Sequence, residues 1–476
     1  MLAAVAVALS GGGGAARPAR VTVDTAHPGR AIPASFLGLS TEVPSVEPFG
    51  EAARPGVVAL LRRIEAAAGA PLALRVGGAS ADESWWNPSH GRPRPPAVVR
   101  DLDERWLAAL AGLARGLDAP VTLGLNLQDR DAANAVAFAR AAQAQLGPRL
   151  QALEIGNEPD LYTSARTFGP AAVRRLRKRV RYTPADYARE TARYLAALTA
   201  GLPPRPGRPR PRLVVGGFAG SPAWVAALPA LVDAHRRDIG AVAAHRYGLG
   251  ACALRPGDGG AAARGDLVQT ATSRGRAQGL EPLVALAHGH GLPLWVAELN
   301  SAPCGGAPGA SDRFAAAVWL TDTLFALARL GADRADVQTF DGAVYAPFAV
   351  SGDAVQPRPL FYGMLAFARA APRGSRVVPV TVTGNDRVRA WGTIARDGTV
   401  RVALIAAVNA RAVRVRVAVG AGRPCATVRI TSAPSLAAPT GIADRAARTV
   451  CPRGRAVALA VPGPSLSIVT LPPRSG

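Results

Sequence analysis

The chain has 476 residues, 49% of them hydrophobic, which is enough to bury one large core and a smaller one, yet no apolar run approaches the roughly 20 residues needed to cross a bilayer. Its net charge of +23 would suit nucleic acid, but only one of the 56 basic residues is a lysine, Lys178, and the arginines are spread along the whole chain. This distribution is typical of an arginine-for-lysine composition bias, and no aromatic residues alternate with the basic ones to stack on bases, so we expect no nucleic-acid partner.

The first segment, Met1 to Leu9, is apolar and of signal-peptide length, and a Gly/Ala-rich tract follows it. It lacks a basic start, so we interpret residues 1–19 as a signal peptide whose beginning was clipped or misassigned; an ordinary disordered N-terminus is the alternative. A signal peptide predicts a secreted, extracellular protein. Residues 20–34 begin with the β-branched run Arg20 to Val23, and we expect this strand to pair with a C-terminal sheet.

Residues 35–370 alternate short apolar strands with helices rich in Ala, Leu and Arg, such as Ala132 to Gln145 and Asp312 to Ala328. This alternation is the signature of the α/β class, and eight strands are the number that a closed (β/α)8 TIM barrel requires. The eight candidate strands end at Leu39-Ser40, Leu74-Arg75-Val76, Leu123 to Asn126, Glu154-Ile155, Leu213 to Gly216, Val242 to His245, Leu294 to Val296 and Val337 to Thr339.

After Pro372 the pattern changes to short β-branched runs separated by Gly, Asn, Asp and Pro. We predict that residues 371–476 form an all-β sandwich of seven or eight strands. The clearest runs are Val377 to Thr383, Val400 to Val408, Val413 to Val419 and Ser465 to Leu471.

The four cysteines, an even number, suggest two disulfides in an exported chain, and three pairings are open. We expect Cys252 to pair with Cys304 and Cys425 with Cys451, because each pair then falls within one predicted domain. We expect no metal site, since the pair His288 and His290 is more typical of a surface loop.

One basic cluster follows the fourth predicted strand and could attract an acidic polysaccharide, although a solvated helix face is the alternative interpretation. The cluster comprises Arg174, Arg175, Arg177, Lys178, Arg179 and Arg181.

The chain has no P-loop, no G-x-S-x-G and no H-E-x-x-H motif, so we expect no cofactor.

Two strand-end carboxylates carry the functional prediction. Glu158 follows the fourth strand within Asn157-Glu158-Pro159, and Glu298 lies at the end of the seventh. Strand ends of a parallel barrel open onto one face, so two such residues fit the paired carboxylates of a glycosidase. We assign Glu158 as acid/base and Glu298 as nucleophile.

Three further residues would support this pair. The amide of Asn157 would lie near the sugar 2-hydroxyl, Arg75 would keep Glu298 ionised, and the hydroxyl of Tyr247 would orient that carboxylate. Arg75 could instead bridge strands within the barrel, and Tyr247 could be a rim aromatic.

These residues resemble the heparanase and β-glucuronidase family, glycoside hydrolase family 79, within the clan of retaining (β/α)8 glycosidases. The resemblance covers the barrel, whereas the C-terminal region matches in character only. It implies a retaining mechanism with the roles assigned above. The matching segments are Phe36 to Ser40, Leu74 to Gly78, Leu153 to Pro159, Glu298 to Gly306, Asp312 to Ala317 and the stretch around Tyr345.

The resemblance also implies substrate contacts. Backbone amides of Gly305 and Gly306 and the side chain of Tyr345 would hold a uronate carboxylate, although a plain tight turn is the alternative for the two glycines. Pro303 and Cys304 replace the family's loop tyrosine and first glycine, and proline offers neither a phenol nor a backbone donor. The sugar-contacting strand ends implied by the family pattern are Glu42, Asn126 and His245.

The resulting expectation is a monomer that acts on carbohydrate, as a retaining exo-β-glucuronidase-like hydrolase that cleaves terminal uronic acid residues, as in glucuronides. Three alternatives stay open: an endo-acting, heparanase-like hydrolase of acidic oligosaccharides or polysaccharides, a neutral-sugar arabinosidase or xylosidase, and an inactive carbohydrate-binding surface protein. A binder would have no need of a paired acid and nucleophile, which argues against the last.

Overall fold

The computed structural model describes residues 17–162, 182–204, 209–250, 260–419 and 423–473. Within these ranges no helix is both long enough and apolar enough to span a membrane. The basic cluster at residues 174–181 and the proposed signal peptide up to residue 16 lie outside the described residues.

Eight parallel strands close into a barrel in sequence order, and the eighth pairs with the first. The strand residues are almost all buried, as expected for strands covered on both faces. The predicted (β/α)8 barrel and all eight of its strands are therefore confirmed. In order, the barrel strands are Leu37–Glu42, Ala73–Gly77, Val121–Leu125, Leu150–Ile155, Arg212–Phe218, Ile239–Tyr247, Leu294–Asn300 and Arg334–Thr339.

Helices follow the strands around the barrel. The predicted helix at 312–328 begins two residues later, at Phe314, because Arg313 has extended backbone dihedral angles and precedes the first helical turn. The described α-helices are Val46–Gly50, Arg54–Ala68, Glu104–Leu117, Ala132–Leu146, Pro184–Gly201, Pro222–His235, Ala261–Leu267, Arg276–Gln278, Glu281–Gly289, Phe314–Leu330 and Pro359–Ala370. Two small strand pairs join Ser84–Trp86 to Arg100–Leu102 and Phe348–Ser351 to Ala354–Pro357.

The C-terminal region is a β-sandwich whose strands form one connected sheet, and the N-terminal strand belongs to it as predicted. Ala19–Val23 pairs antiparallel with Val380–Thr383 and parallel with Val400–Ala418. The nine strands of this sheet domain are Ala19–Val23, Arg376–Val378, Val380–Thr383, Arg389–Ile394, Val400–Ala418, Ala426–Ser432, Ala443–Asp444, Arg448–Val450 and Ala456–Leu471.

The runs predicted as separate strands at 400–408 and 413–419 form one 19-residue strand, Val400–Ala418. Its register against Ala456–Leu471 shifts between Ala406 and Val413, so irregular pairing bridges the polar interruption. A short polar interruption between two β-branched runs therefore does not end this strand.

The predicted disulfide between Cys425 and Cys451 is present and joins neighbouring strand ends of the sheet domain. Cys304 is also disulfide-bonded. Its expected partner, Cys252, lies outside the described residues, so this pairing stays a prediction.

One buried carboxylate joins the barrel to the sheet domain. Asp322, on the helix Phe314–Leu330, accepts hydrogen bonds from Arg389 Nη1 at 2.9 Å and Trp391 Nε1 at 2.6 Å, both on a strand of the sheet domain. From the barrel side it accepts hydrogen bonds from Arg274 at 3.1 Å and Ser273 Oγ at 2.6 Å. Burial acts to raise the pKa of Asp322, but Arg389 and Arg274 bring it below its ordinary value, so the carboxylate is ionised.

Candidate active site

The carboxyl ends of the barrel strands open onto a cleft of about 790 Å³. This volume is within the range of small-molecule binding sites. Most of the residues predicted from sequence line it: Glu42, Asn157, Glu158, His245, Tyr247, Glu298, Gly305 and Tyr345.

The loop after the fourth strand fixes Glu158. Its backbone is in the left-handed region, with φ of 44°, and its N–H donates to the carbonyl of Gly217 at 3.0 Å. Asp160 accepts hydrogen bonds from the backbone amides of residues 219–221. These contacts connect the loop after the fourth strand to the loop after the fifth. They hold Glu158 in its strained backbone conformation, and such strain is common at functional sites.

A local irregularity in the seventh strand places Glu298. The register shifts at this point against both neighbouring strands, between Val296 and Glu298 on one side and between Val296 and Leu299 on the other. Bulges of this kind re-aim side chains next to active sites. Glu298 is buried, and it accepts hydrogen bonds from Arg75 Nη1 at 2.9 Å and from the hydroxyl of Tyr247 at 2.8 Å.

The two carboxylates meet at His245. One carboxylate oxygen of each and one ring nitrogen of His245 lie within 4.8 Å of one another. His245 Nδ1 is 3.0 Å from Glu158 Oε1, a hydrogen bond, and 3.7 Å from Glu298 Oε2. The structure therefore brings the predicted pair together across one pocket.

The surroundings push the two acidities apart. Burial raises the pKa of Glu158 above its ordinary value of 4.5, and the nearby charge of Glu298 adds to this increase, although His245 opposes it. For Glu298 burial also acts to raise the pKa, but His245, Arg75 and the Tyr247 hydroxyl bring it below 4.5. The two neighbouring carboxyl groups therefore differ in acidity, and Glu158 keeps its proton to a higher pH than Glu298 does.

Arg75 connects most of the inner site. It is only 1% exposed, and it donates to Glu154, Glu298 and Ser40 and, through Nη2, to Asn157 Oδ1 at 3.0 Å. Burial acts to lower the pKa of Arg75, but the charges of Glu154 and Glu298 raise it above its ordinary value. Because Arg75 donates to the side-chain oxygen of Asn157, Asn157 can offer the NH2 group of its amide to a ligand.

Sequence reasoning missed two positioning residues. Asp82 is buried and accepts hydrogen bonds from the backbone amides of Asn157 at 3.0 Å and Leu127 at 2.9 Å and from the hydroxyl of Tyr162 at 2.8 Å. Glu154 is the second counter-ion of Arg75. Glu154 could have been found, because an acid inside an apolar strand needs a cation nearby and Arg75 lies inside another such strand.

Glu42 lies in the cleft as predicted. It accepts hydrogen bonds from the backbone N–H and hydroxyl of Ser80 and from Gln338 Nε2 at 3.1 Å, and it covers Gly78. Burial, together with the charge of Glu298, raises the pKa of Glu42 to about 7.

The structure does not bring Asn126 into this cleft. Its Nδ2 donates to the carbonyl of Ser84 at 3.0 Å and its Oδ1 accepts from the N–H of Asp129 at 2.9 Å. Its amide is thus used within the loop after the third strand, and the expected sugar contact at Asn126 is not supported by this geometry.

The loop after Glu298 offers one of its two predicted amides. The N–H of Gly306 donates to the carbonyl of Pro303 at 3.2 Å, as in a tight turn. Gly305 lines the cleft, and within the described part of the chain its N–H makes no hydrogen bond. Burial raises the pKa of Tyr345 well above its usual range, so its hydroxyl keeps its proton.

Glu158, His245 and Glu298 also lie close enough together to ligate a metal ion. Arg75 places a positive charge against Glu298, and Tyr247 donates to the other oxygen of that carboxylate. A divalent cation would have to compete with both, whereas a catalytic carboxylate is served by both. We therefore interpret the cluster as an acid pair.

Several solved glycoside hydrolases share this fold. The chain superposes on a 4-O-α-L-rhamnosyl-β-D-glucuronidase from Fusarium oxysporum with a TM-score of 0.76, at 17% identity over 95% of this chain and 100% of that chain. For a family 51 arabinofuranosidase from Xanthomonas axonopodis pv. citri the TM-score is 0.70, at 16% identity over 96% and 100%. For an α-L-arabinofuranosidase from Thermotoga maritima it is 0.67, at 15% identity over 95% and 100%.

At these identities the likeness establishes the shared barrel-and-sandwich fold. No protein-family model matches this chain, and no curated protein matches it significantly.

The fit of Glu42 over Gly78 can be tested with a matched pair of glycines. Gly78 and Gly69 both have positive φ, 74° and 65°, so an alanine at either costs about 1 kcal/mol of backbone strain. A Cβ at Gly78 would lie 2.0 Å from Glu42 Oε1, whereas one at Gly69 would meet nothing within 4 Å. We expect Gly78→Ala to lower the thermal unfolding midpoint more than Gly69→Ala; equal losses would contradict this contact.

Proposed function

We propose that this protein is a retaining glycoside hydrolase in which Glu158 is the acid/base and Glu298 the nucleophile. The observation that carries the proposal is the pair of carboxylates with oxygens within 4.8 Å and with pKa values shifted in opposite directions. Retaining enzymes keep the two carboxyl groups about 5 to 5.5 Å apart, whereas inverting enzymes leave room for a water between them.

In the first step Glu298 attacks the anomeric carbon with a carboxylate oxygen. The bond from that carbon to the leaving oxygen breaks, and Glu158 gives its proton to the leaving oxygen, so an alcohol departs and an ester to Glu298 remains. In the second step water attacks the same carbon, Glu158 takes a proton from it, and the carbon–oxygen bond to Glu298 breaks. Both carboxyl groups then return to their starting states.

The neighbouring contacts suit these roles. Arg75 and Tyr247 hold the two oxygens of Glu298, which favours its ionised form and fixes its direction. The NH2 of Asn157 would donate to the sugar 2-hydroxyl, where a hydrogen bond strengthens as the ring flattens. We interpret His245 as the group that positions Glu158.

For the substrate we propose a terminal β-glucuronide, as the resemblance to glycoside hydrolase family 79 implies. The N–H of Gly305, which makes no hydrogen bond within the described ranges, and the protonated hydroxyl of Tyr345 support this choice, because both can donate to a carboxylate. The likeness to a rhamnosyl-glucuronidase is in keeping with it.

A neutral-sugar glycosidase is the second candidate and is equally compatible with the comparisons. The arabinofuranosidases have the same fold, and Pro303 removes one donor from the loop that would hold a uronate. Endo action on an acidic polysaccharide would rest mainly on the basic cluster, which lies outside the described residues.

A panel of nitrophenyl glycosides distinguishes these candidates. It should contain the β-glucuronide, β-galacturonide, β-glucoside, β-xyloside and α-arabinofuranoside, with acidic oligosaccharides tested in parallel. We expect the highest kcat/KM on the glucuronide. A preference for the arabinofuranoside or xyloside would replace the substrate assignment and leave the mechanism standing, whereas no turnover of any glycoside would favour a carbohydrate-binding protein.

The two carboxylates should respond differently to substitution. Glu298→Gln should lower kcat by roughly a thousandfold or more on every substrate, because the nucleophile is lost. Glu158→Ala should spare nitrophenyl glycosides more than alkyl glycosides, because a good leaving group needs no proton. Glu281→Gln, at an exposed helix position, is the matched control. Equal losses of both substrate types in Glu158→Ala would refute the acid/base assignment.

The pH profile of kcat/KM should be bell-shaped. Activity falls on the acidic side as Glu298 is protonated through its lowered pKa, and on the alkaline side as Glu158 loses its proton through its raised pKa. Tyr247→Phe removes a hydrogen bond that lowers the pKa of Glu298, so the acidic limb should move to higher pH. Tyr362→Phe serves as the control, and an acidic limb unmoved by Tyr247→Phe would argue against Glu298 as the group titrating there.

A further inference from the structure

Two arginines that line the cleft have no acidic partner in the part of the chain that the structure describes. Arg246 lies between His245 and Tyr247 at the end of the sixth strand, and Arg276 begins the short helix Arg276–Gln278. Among the described residues neither makes an ion pair or a hydrogen bond, and the half-buried Arg246 has a buried Nε with no acceptor. A buried guanidinium donor with no acceptor is costly, so it indicates a place where a ligand completes the structure.

The acids that face the same cleft are mostly engaged elsewhere. Glu42 accepts from Ser80 and Gln338, Glu298 accepts from Arg75 and Tyr247, and Glu158 is hydrogen-bonded to His245. Asp160 is held by three backbone amides of the loop at 219–221. Glu83 and Asp341 also line the cleft, and among the described residues no ion pair joins any of these acids to Arg246 or Arg276.

The two guanidinium groups also repel each other. Both residues line the same cleft, where burial, and after it the charge of Arg276, lowers the pKa of Arg246. Like charges held together at a partly buried position destabilise the empty site. An anion between them would remove this repulsion and accept hydrogen bonds from both side chains.

We propose that Arg246 and Arg276 bind an anionic group, a carboxylate or a sulfate ester, of the carbohydrate substrate. The identification of the ligand as a carbohydrate rests on the proposed glycosidase function. The arginine pair selects acidic sugars over neutral ones and acts in addition to the loop amide of Gly305. It is formed by the sixth strand and the short helix that begins at Arg276, so it differs from the uronate contacts implied by the family resemblance.

Binding of inorganic sulfate tests the anion site without any turnover. Titration calorimetry of the full chain at low ionic strength should give a sulfate Kd that rises about tenfold in Arg276→Gln, the effect of losing one charge-assisted hydrogen bond. Arg276→Lys should recover part of the loss. Arg237→Gln, at an exposed arginine without a described partner, should leave the Kd unchanged. Unchanged sulfate binding in Arg276→Gln, or an equal loss in Arg237→Gln, would overturn the proposal.

Turnover then tests the link to substrate choice. The ratio of kcat/KM for nitrophenyl β-glucuronide to that for nitrophenyl β-glucoside should fall about tenfold in Arg276→Gln. Binding of a sulfated and an unsulfated uronic-acid tetrasaccharide separates the two anion types, and weaker binding of either in the variant supports the site. A ratio and tetrasaccharide affinities that all match the parent would refute it. A protein that is inactive on every glycoside would refute the glycosidase proposal. Sulfate binding that depends on Arg276 would still support the anion site in that case.

Discussion

The site depends on one buried cation. The guanidinium of Arg75 is removed from water, and a buried charge is tolerated only where opposite charges and hydrogen bonds surround it. Glu154 and Glu298 supply the charges, and Ser40 and Asn157 complete the contacts. Because these partners belong to the first, fourth and seventh strands and the loop after the fourth, the same residue links three strands of the barrel and holds the carboxylate of Glu298.

Loop contacts determine the position of the second carboxylate, that of Glu158. Glu158 follows the fourth strand in a left-handed conformation, and backbone contacts with the next loop hold it there. Among the described residues its side chain is hydrogen-bonded to His245 and to no guanidinium, and burial raises its pKa. The pKa values of the two glutamates are thus shifted in opposite directions by their surroundings. Glu298 is buried beside the permanent cation of Arg75, and Glu158 lies on a strained turn.

The barrel was predictable because most of its strands are short, nearly continuous apolar runs that alternate with helices, although Arg334–Thr339 also carries buried Arg, Asp and Gln side chains. The positions of Glu158 and Glu298 followed from the strands they end. The hydrogen bonds of the loops did not follow, since no local sequence pattern records them: the side chain of Asn126 donates to Ser84, and the backbone N–H of Gly306 is used within its own turn. Arg246 and Arg276 escaped notice for a similar reason, because only the folded chain brings them together.

The contacts of Asp322 bear on how the protein could have evolved. The carboxylate belongs to the barrel, while Arg389 and Trp391 reach it from the sheet domain, and the Trp391 ring lies parallel to Phe325 with centroids 5.6 Å apart. A gene break at the start of the sheet would leave a charged group and an aromatic surface on the barrel newly open to solvent. The barrel and the sheet domain are distinct in the sequence, but they share these buried contacts. We therefore expect evolution to have kept, lost or exchanged the two domains together.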